Sequence, residues 1–319
     1  MDRMDIKKLV GELLDECERI IVGKRDNIEL MVLSILSGGH ILLDDMPGVG
    51  KTTLVKTLSR ALGCDFRRIQ FTPDLLPSDI VGMSIFDRRT GEFRRVDGPV
   101  MTNILLADEI NRAIPRTQSA LLEAMEEKQV TIDGETQSLK EPFIVMATQN
   151  PIESESTFRL PAAQMDRFLI RLSLGYPDHE QEKQMLGLLG GGIPFDSVRA
   201  AASPGTITAA QEYIKNVSIS DDVTDYIVSI VQKTRSWPLV KAGASPRASR
   251  ALFRMGKARA AALGRDFVTP DDVQYCAAPV LSHRLILSNE ARLSSKTTHD
   301  IVYDVLESVP VPPLTRDIL

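Results

Sequence analysis

The 319-residue chain carries 38 Lys and Arg against 43 Asp and Glu, a net charge of −5. That balance argues against a generally nucleic-acid-coating surface, though it leaves room for a local basic patch. An apolar fraction of 43% and a charged fraction of 25% are ordinary for a globular protein, and the length suggests two domains. Cys17, Cys64 and Cys276 are scattered, fit a reducing cytosol and give no metal-ligand spacing; the dispersed histidines read as surface or packing residues.

The N-terminus, Met1-Asp2-Arg3-Met4-Asp5-Ile6-Lys7-Lys8, has no apolar signal core. The longest apolar region, Ile28 to Leu43, is broken by Glu29, Gly38, Gly39 and His40, too interrupted to span a bilayer. The expectation is a cytoplasmic protein with no membrane insertion. Strands are predicted at His40–Leu43, Phe66–Phe71, Ile104–Ala107, Phe143–Thr148 and Phe168–Leu174, with helices starting near Ile28, Lys51, Pro115 and Ala162. Such alternation predicts an α/β fold, a parallel sheet with helices on both faces. Two segments read as inserted hairpins: Ile80 to Val96, turning at Arg89-Thr90-Gly91-Glu92, and Gln129 to Leu139, turning at Asp133-Gly134. The pattern changes near Tyr176-Pro177-Asp178. Beyond it, helical spacing covers Asp178–Leu189, Thr208–Asn216, Asp221–Arg235, Pro246–Leu263, Pro270–Ser282 and Thr297–Ser308, with Gly190-Gly191-Gly192-Ile193-Pro194 as a linker. The expected division is residues 1–176 for the sheet domain and 177–319 for a helical one.

Gly48-Val49-Gly50-Lys51-Thr52-Thr53 follows the apolar run Ile41-Leu42-Leu43. A strand that turns through glycines into a helix aims several backbone N–H groups at one spot, where the positive end of the helix dipole also lies. Phosphate is the natural occupant. Lys51 then reaches the β- and γ-phosphates of ATP, and the Thr52 hydroxyl holds Mg²⁺. The strict pattern wants glycine where Asp45 stands. Aspartate tolerates a left-handed backbone, and its carboxylate is expected to point away from phosphate. A second apolar run, Asn103 to Ala107, ends in Asp108-Glu109. Acids at the C-terminal edge of a parallel sheet sit where ligands bind in doubly wound folds. Asp108 can hold Mg²⁺ through water, and Glu109 can polarise the attacking water.

With these motifs in order, the chain resembles the MoxR family of AAA+ ATPases over nearly its whole length. The resemblance rests on Met46 to Thr52, on Leu106-Ala107-Asp108-Glu109-Ile110-Asn111-Arg112-Ala113, on Ala147-Thr148-Gln149-Asn150-Pro151, on Leu160 to Phe168, and on Gly243-Ala244-Ser245-Pro246-Arg247-Ala248. It implies an AAA+ core with a helical lid. The first hairpin becomes the helix-2 insert, and the second the hairpin before the sensor-1 strand. Both face the central pore in related rings.

The resemblance also assigns roles. Pro47 joins the phosphate loop, and Val22-Gly23, before the first expected helix, lie along the adenine. Asn150 acts as sensor 1. Arg167 is the arginine finger, a role guanidinium suits because it stays charged and donates several directed hydrogen bonds; an Asp166-Arg167 surface pair is the alternative. Arg247 acts as sensor 2. It follows Ser245-Pro246 at a helix start, where a cation opposes the dipole and an anion such as the γ-phosphate compensates. One nucleotide contacted by both Lys51 and Arg247 is the expectation. Arg112 and Arg159 stay open between interface and structural roles. Arg88, Arg89, Arg94 and Arg95, with Phe86 and Phe93, read first as a solvated hairpin edge, then as a protein contact, then as a nucleic-acid site.

The implied activity is Mg²⁺-dependent ATP hydrolysis by a ring, a hexamer, that remodels or matures protein clients in a chaperone-like role, with von Willebrand factor A domain proteins as companions. A DNA- or RNA-remodelling motor and a nucleotide-gated scaffold with little hydrolysis are the rivals. The first is weakened by the lack of a separate nucleic-acid module, which makes nucleic acid an unlikely partner, and the second by intact Glu109 and Arg167.

Overall fold

Five short runs pair as parallel strands, all but the polar β2 rich in Ile, Leu, Val or Ala: β1 (Ile41–Asp44), β2 (Phe66–Gln70), β5 (Ile104–Asp108), β8 (Ile144–Gln149) and β9 (Ile170–Leu172). They lie in the order β2-β5-β8-β1-β9. The computed structural model describes residues 5–150, 158–191 and 197–313. Pro151 of the sensor-1 motif and Gly192, Ile193 and Pro194 of the expected linker therefore lie outside the described residues.

Strand side chains alternate between two buried faces, because successive Cβ atoms point to opposite sides of a sheet. Ile41 and Leu43, Ile104 and Leu106, and Ile144 and Met146 face one core; Leu42, Leu105 and Val145 face another. The first face is covered by α1 (Ile6–Glu18), α2 (Arg25–Leu36) and α3 (Lys51–Ala61), and the second by α5 (Pro115–Glu127). Helices on both faces were expected, but α1 was not. Its apolar residues Ile6, Leu9, Val10, Leu13, Leu14 and Cys17 recur at helical spacing, and Asp5 caps it by accepting from the Lys8 N–H. Val22 and Gly23 thus precede the second helix, not the first.

Between β2 and β5 lie α4 (Pro77–Val81) and the hairpin of β3 (Gly82–Asp87) with β4 (Glu92–Asp97). Between α5 and β8, β6 (Gln129–Ile132) pairs with β7 (Glu135–Ser138). Asp133 and Gly134 take positive φ values of 50° and 84°, as a two-residue turn between twisted strands requires.

After α6 (Ala162–Met165) and β9 the chain is helical: α7 (His179–Gly191), α8 (Pro204–Lys215), α9 (Asp221–Arg235), α10 (Pro246–Ala262), α11 (Pro270–Leu281), α12 (Asn289–Leu293) and α13 (Thr298–Ser308). A short pair, β10 (Val240–Ala242) with β11 (Ile286–Leu287), interrupts them. The helix expected from Thr208 begins at Pro204, because Ser203 caps it through the Thr206 N–H and proline suits a first helical position. The helical part packs directly on the sheet domain: Met255, Val273 and Val302 share one apolar core with Leu13, Met31 and Ile41. Among the described residues no helix is long and apolar enough to cross a membrane.

Candidate active site

The parallel strands bring Asp44, Gln70, Asp108 and Gln149 to one edge of the sheet. From β1 the chain turns through Gly48 and Gly50, at φ 83° and 86°, into α3, which begins at Lys51. Both glycines border open space. The N-cap of α3 is Gly50, and no side chain caps the helix, nor does its first turn contain an acid. Its leading N–H groups thus point at solvent where a helix dipole favours an anion. Val49 in the loop and Thr52 and Thr53 in the first turn sit with them. Lys51 Nζ folds back onto the carbonyls of Asp45 (2.6 Å) and Met46 (3.3 Å). Burial holds its pKa below the usual lysine value, opposed by Asp45, Asp108, Asp44 and Glu109.

The Asp45 carboxylate points away from the loop. It accepts from Ser173 Oγ (2.7 Å), Leu174 N (2.5 Å) and Gly175 N (3.1 Å). Lys24 and Asn27 reach the same stretch, through Leu174 O (2.6 Å) and Ser173 O (2.9 Å). Gly23, at φ 68°, packs so closely on Gln181 of α7 that a Cβ would lie 2.3 Å from its amide. Val22 and Gly23, expected along the adenine, therefore sit beside the strand-to-lid connection that Asp45 anchors.

Asp108 ends β5. Its Oδ1 accepts from Thr148 Oγ1 (2.6 Å) and its Oδ2 from Arg68 Nη2 (2.6 Å). Glu109 follows in a left-handed backbone, φ 56° and ψ 50°, which an L-residue adopts at a cost. The Thr148 hydroxyl oxygen accepts the Glu109 N–H (2.8 Å) and helps fix that turn. The Glu109 carboxylate accepts from Gln70 Nε2 (2.7 Å) and Arg112 Nη1 (3.0 Å). Arg112 thus serves its own chain's acid. Asn150, buried at the end of β8, takes the Asn111 amide on its carbonyl (3.3 Å). Arg68 and Gln70 were not singled out in the sequence, and Thr148 entered only within the sensor-1 strand and motif. The signal for the first two is the two-residue period of β2, which places residues 68 and 70 on one face at the acids' edge.

Arg167 and Arg247 lie elsewhere. Helix α5 runs back across the sheet, so its last turn reaches the edge where the strands begin. There His40, just before β1, binds Met125 O (3.2 Å), and Leu169 N donates to His40 O (2.8 Å). Glu126 at this end accepts from both Arg167 (3.0 Å) and Arg247 (2.8 Å). The length of β1, roughly 13 Å at its rise per residue, separates the two edges. Arg247 and Lys51 of one chain, expected at one nucleotide, therefore do not meet in this structure, because α10 packs against the opposite end of the sheet. An Asp166-Arg167 pair is not formed either. Asp166 instead accepts from Arg284 Nε (2.6 Å) and from Ser245 Oγ (2.8 Å), the N-cap of α10. Arg159 is exposed.

A glycine turn into the start of α3, an Asp-Glu pair at the end of β5 and arginines at the far edge form one pattern, and the comparisons carry it to a family. Residues 40–170 match the model of the "ATPase family associated with various cellular activities", and residues 232–305 match the AAA lid domain. Chaperone MoxR1 of Mycobacterium tuberculosis is 42% identical over 93% of this chain and 81% of its own. The chain belongs to the MoxR family of AAA+ ATPases. Protein MoxR of Methylorubrum extorquens is 29% identical over 93% of each chain. A crystal structure from Cytophaga hutchinsonii, provisionally assigned as an ATPase, superposes with a TM-score of 0.90 at 39% identity, covering 97% of this chain and 96% of that one. Membership in this ATPase family implies nucleotide binding.

Proposed function

We propose that the protein is a Mg²⁺-dependent ATP hydrolase that works as a ring, a hexamer in the simplest form, and remodels a protein client. The carrying observation is the division of charged residues between two edges of one sheet. Lys51, Asp108, Glu109 and Asn150 gather where the strands end; Arg167 and Arg247 share Glu126 where they begin. A second copy then brings its arginines to the nucleotide of the first.

At the C-terminal edge the loop N–H groups and Lys51 receive the β- and γ-phosphates, and Lys51 exchanges carbonyl partners for phosphate oxygens. Thr52 and Asp108 offer one hydroxyl and one carboxylate. Among the described residues no group of three or more His, Cys, Asp or Glu could hold a metal. That donor set fits Mg²⁺, which keeps water and takes phosphate oxygens as further ligands. The ion supplies neutralisation of negative charge on the phosphates. Glu109 orients a water and draws on its proton as the water oxygen bonds to the γ-phosphorus. The bond to the β-phosphate oxygen breaks, and ADP keeps that electron pair. Asn150 positions the water or a γ-phosphate oxygen, while Arg167 and Arg247 of the adjoining copy stabilise the transferring group.

A protein client is supported by the chaperone named among the relatives and by the β3–β4 hairpin. Phe86 and Phe93 pair edge to face at 5.3 Å and project into solvent, Phe93 with 75% of its surface exposed. A merely solvated edge needs no such aromatic pair. A von Willebrand factor A domain protein as companion rests on family resemblance, as does a cytoplasmic location. The lid is taken as residues 177–319.

Mixing two inactive variants tests the shared site. Arg167→Ala and Glu109→Gln should each lose most ATPase activity. Their mixture should recover part of it, through interfaces that pair an intact Glu109 with an intact Arg167. No recovery, with subunit exchange verified, would mean that Arg167 does not act across an interface. The contacts of Arg68 with Asp108 and of Gln70 with Glu109 favour a second reading, a nucleotide-gated scaffold. ATP binding without turnover at any protein concentration would support it instead.

A further inference from the structure

A cleft of about 710 Å³ lies between the sheet domain and the lid. The Gly38-Gly39 turn after α2 forms its floor, α8 one wall and α10 the other. Along α10, Arg247, Arg250, Arg254 and Lys257 follow at intervals of three, four and three residues. Such spacing puts them in one stripe on one helix face, and all four line the cleft.

The carboxylates that line the cleft are already matched. Glu126 takes Arg167 and Arg247, Asp166 takes Arg284, Glu212 takes Lys215 (2.5 Å) and Glu141 takes Lys128 (3.5 Å). Arg250, Arg254 and Lys257 have no carboxylate partner among the described residues. Arg254 donates to Ser37 O at the end of α2, and Lys257 to Lys215 O (3.0 Å) at the end of α8. Arg250 makes no hydrogen bond or ion pair among the described residues, and its charge stands against Arg254 one turn on. Like charges at that spacing destabilise a helix. Burial, together with Arg250, holds the Arg254 pKa below the usual value. Met125, Leu169 and Phe253 supply apolar surface beside the cations. A cationic wall with apolar surface beside it, in a cleft between domains, suits a nucleotide-sized anion.

We propose that this cleft is a polyphosphate site in which Arg250, one helical turn beyond Arg247, contacts phosphate oxygens. The ligand is the triphosphate held by an adjoining copy or a free nucleotide. The first source rests on the ring reading above, and the second does not.

The full-length protein separates them. A fluorescent ATP analogue and inorganic tripolyphosphate are titrated into Lys51→Ala, whose own phosphate loop is disabled, and into Lys51→Ala/Arg250→Ala. Residual binding that weakens about tenfold or more without Arg250 supports the site with a free ligand. With the adjoining copy as source, Lys51→Ala binds neither probe. Arg250→Ala then binds ATP through its own loop as wild type does, loses about tenfold or more in kcat, and regains rate when mixed with Lys51→Ala, which still carries Arg250. Arg250→Lys should retain more of the effect than Arg250→Ala, and Arg250→Ala should keep the wild-type unfolding midpoint because the side chain is exposed. If Arg250→Ala matches wild type in binding and in kcat, the site is refuted. A loss in Arg167→Ala alone would then leave the ring reading standing, whereas wild-type activity in Arg167→Ala would overturn that reading and leave the free-ligand arm to stand or fall by itself.

Discussion

The two edges of the central sheet solve different problems with the same residue types. Where the strands end, acids and a lysine surround open space, and their partners are exchangeable. Lys51 rests on carbonyls, and Asp108 and Glu109 rest on half-exposed Arg68 and Arg112. Where the strands begin, the charged groups are structural as well. Arg284, its side chain 3% exposed, binds Asp166 and the carbonyls of Phe168 (2.7 Å) and Leu169 (3.1 Å). The edge where the strands end keeps its groups on exchangeable partners, whereas the far edge ties Arg167 and Arg247 to Glu126 and buries Arg284.

The largest effects should come from breaking each edge in turn. Lys51→Ala should abolish ATP binding at the phosphate loop, since no other cation lies in it. Arg167→Ala should leave binding intact and lower turnover by roughly 10³–10⁵-fold. Isothermal titration and a steady-state ATPase assay read the two separately. Equal loss of binding in both variants would erase the distinction between the edges.

Stability should show the opposite asymmetry. Asp166→Asn leaves the buried Arg284 guanidinium without its carboxylate, and breaking a buried pair from one side costs about 3–5 kcal/mol. Arg68→Ala removes a half-exposed pair and should cost no more than about 1 kcal/mol. Urea unfolding of both variants decides the order.

Acid should also act on the far edge. His40 is buried, with Nδ1 accepting from Val145 N (3.0 Å) and Nε2 facing Met125 O. Burial lowers its pKa from 6.5 to about 4. The unfolded chain therefore binds the extra proton first, and stability falls as pH drops from 6.5 towards 4. The full shift corresponds to roughly 3 kcal/mol. His283, held below its usual value by burial, adds to the loss in the same direction. Unfolding free energies between pH 7.5 and 5 should decline, and His40→Gln should flatten part of the slope.

The smallest effect concerns Asp45. Its carboxylate serves the strand-to-lid connection, so Asp45→Asn should change ATP affinity by less than tenfold, or about 1.4 kcal/mol. A larger gain would mean that the carboxylate turns towards phosphate once a nucleotide binds.

Much of this was legible in the residues. Most strands announced themselves as short apolar runs, and Gly48 and Gly50 marked the turn into α3, because few residue types permit it. The orientation of Asp45 followed from charge repulsion alone. The partners of the acids were not legible, since Arg68 and Gln70 lie some forty positions upstream and only the pairing of β2 with β5 brings them to Asp108 and Glu109. Arg247 has a contact with Glu126 that was not legible, for a related reason. Its helix start was evident from Ser245-Pro246, but the end of the sheet that a helix packs against depends on long-range packing, not on local spacing. Helix α1 was missed although its apolar period was visible.

Asp166 has a mechanical consequence. One carboxylate holds the cap of the helix that carries Arg247, and its neighbour in sequence is Arg167. The two arginines thus behave as two teeth of one gear. The helical part that bears one of them is tied to the sheet domain by Arg284 and by a shared apolar core. In an assembly, force generated at a nucleotide would reach both teeth together, and the slack that lets the machine move would lie in the seams between copies.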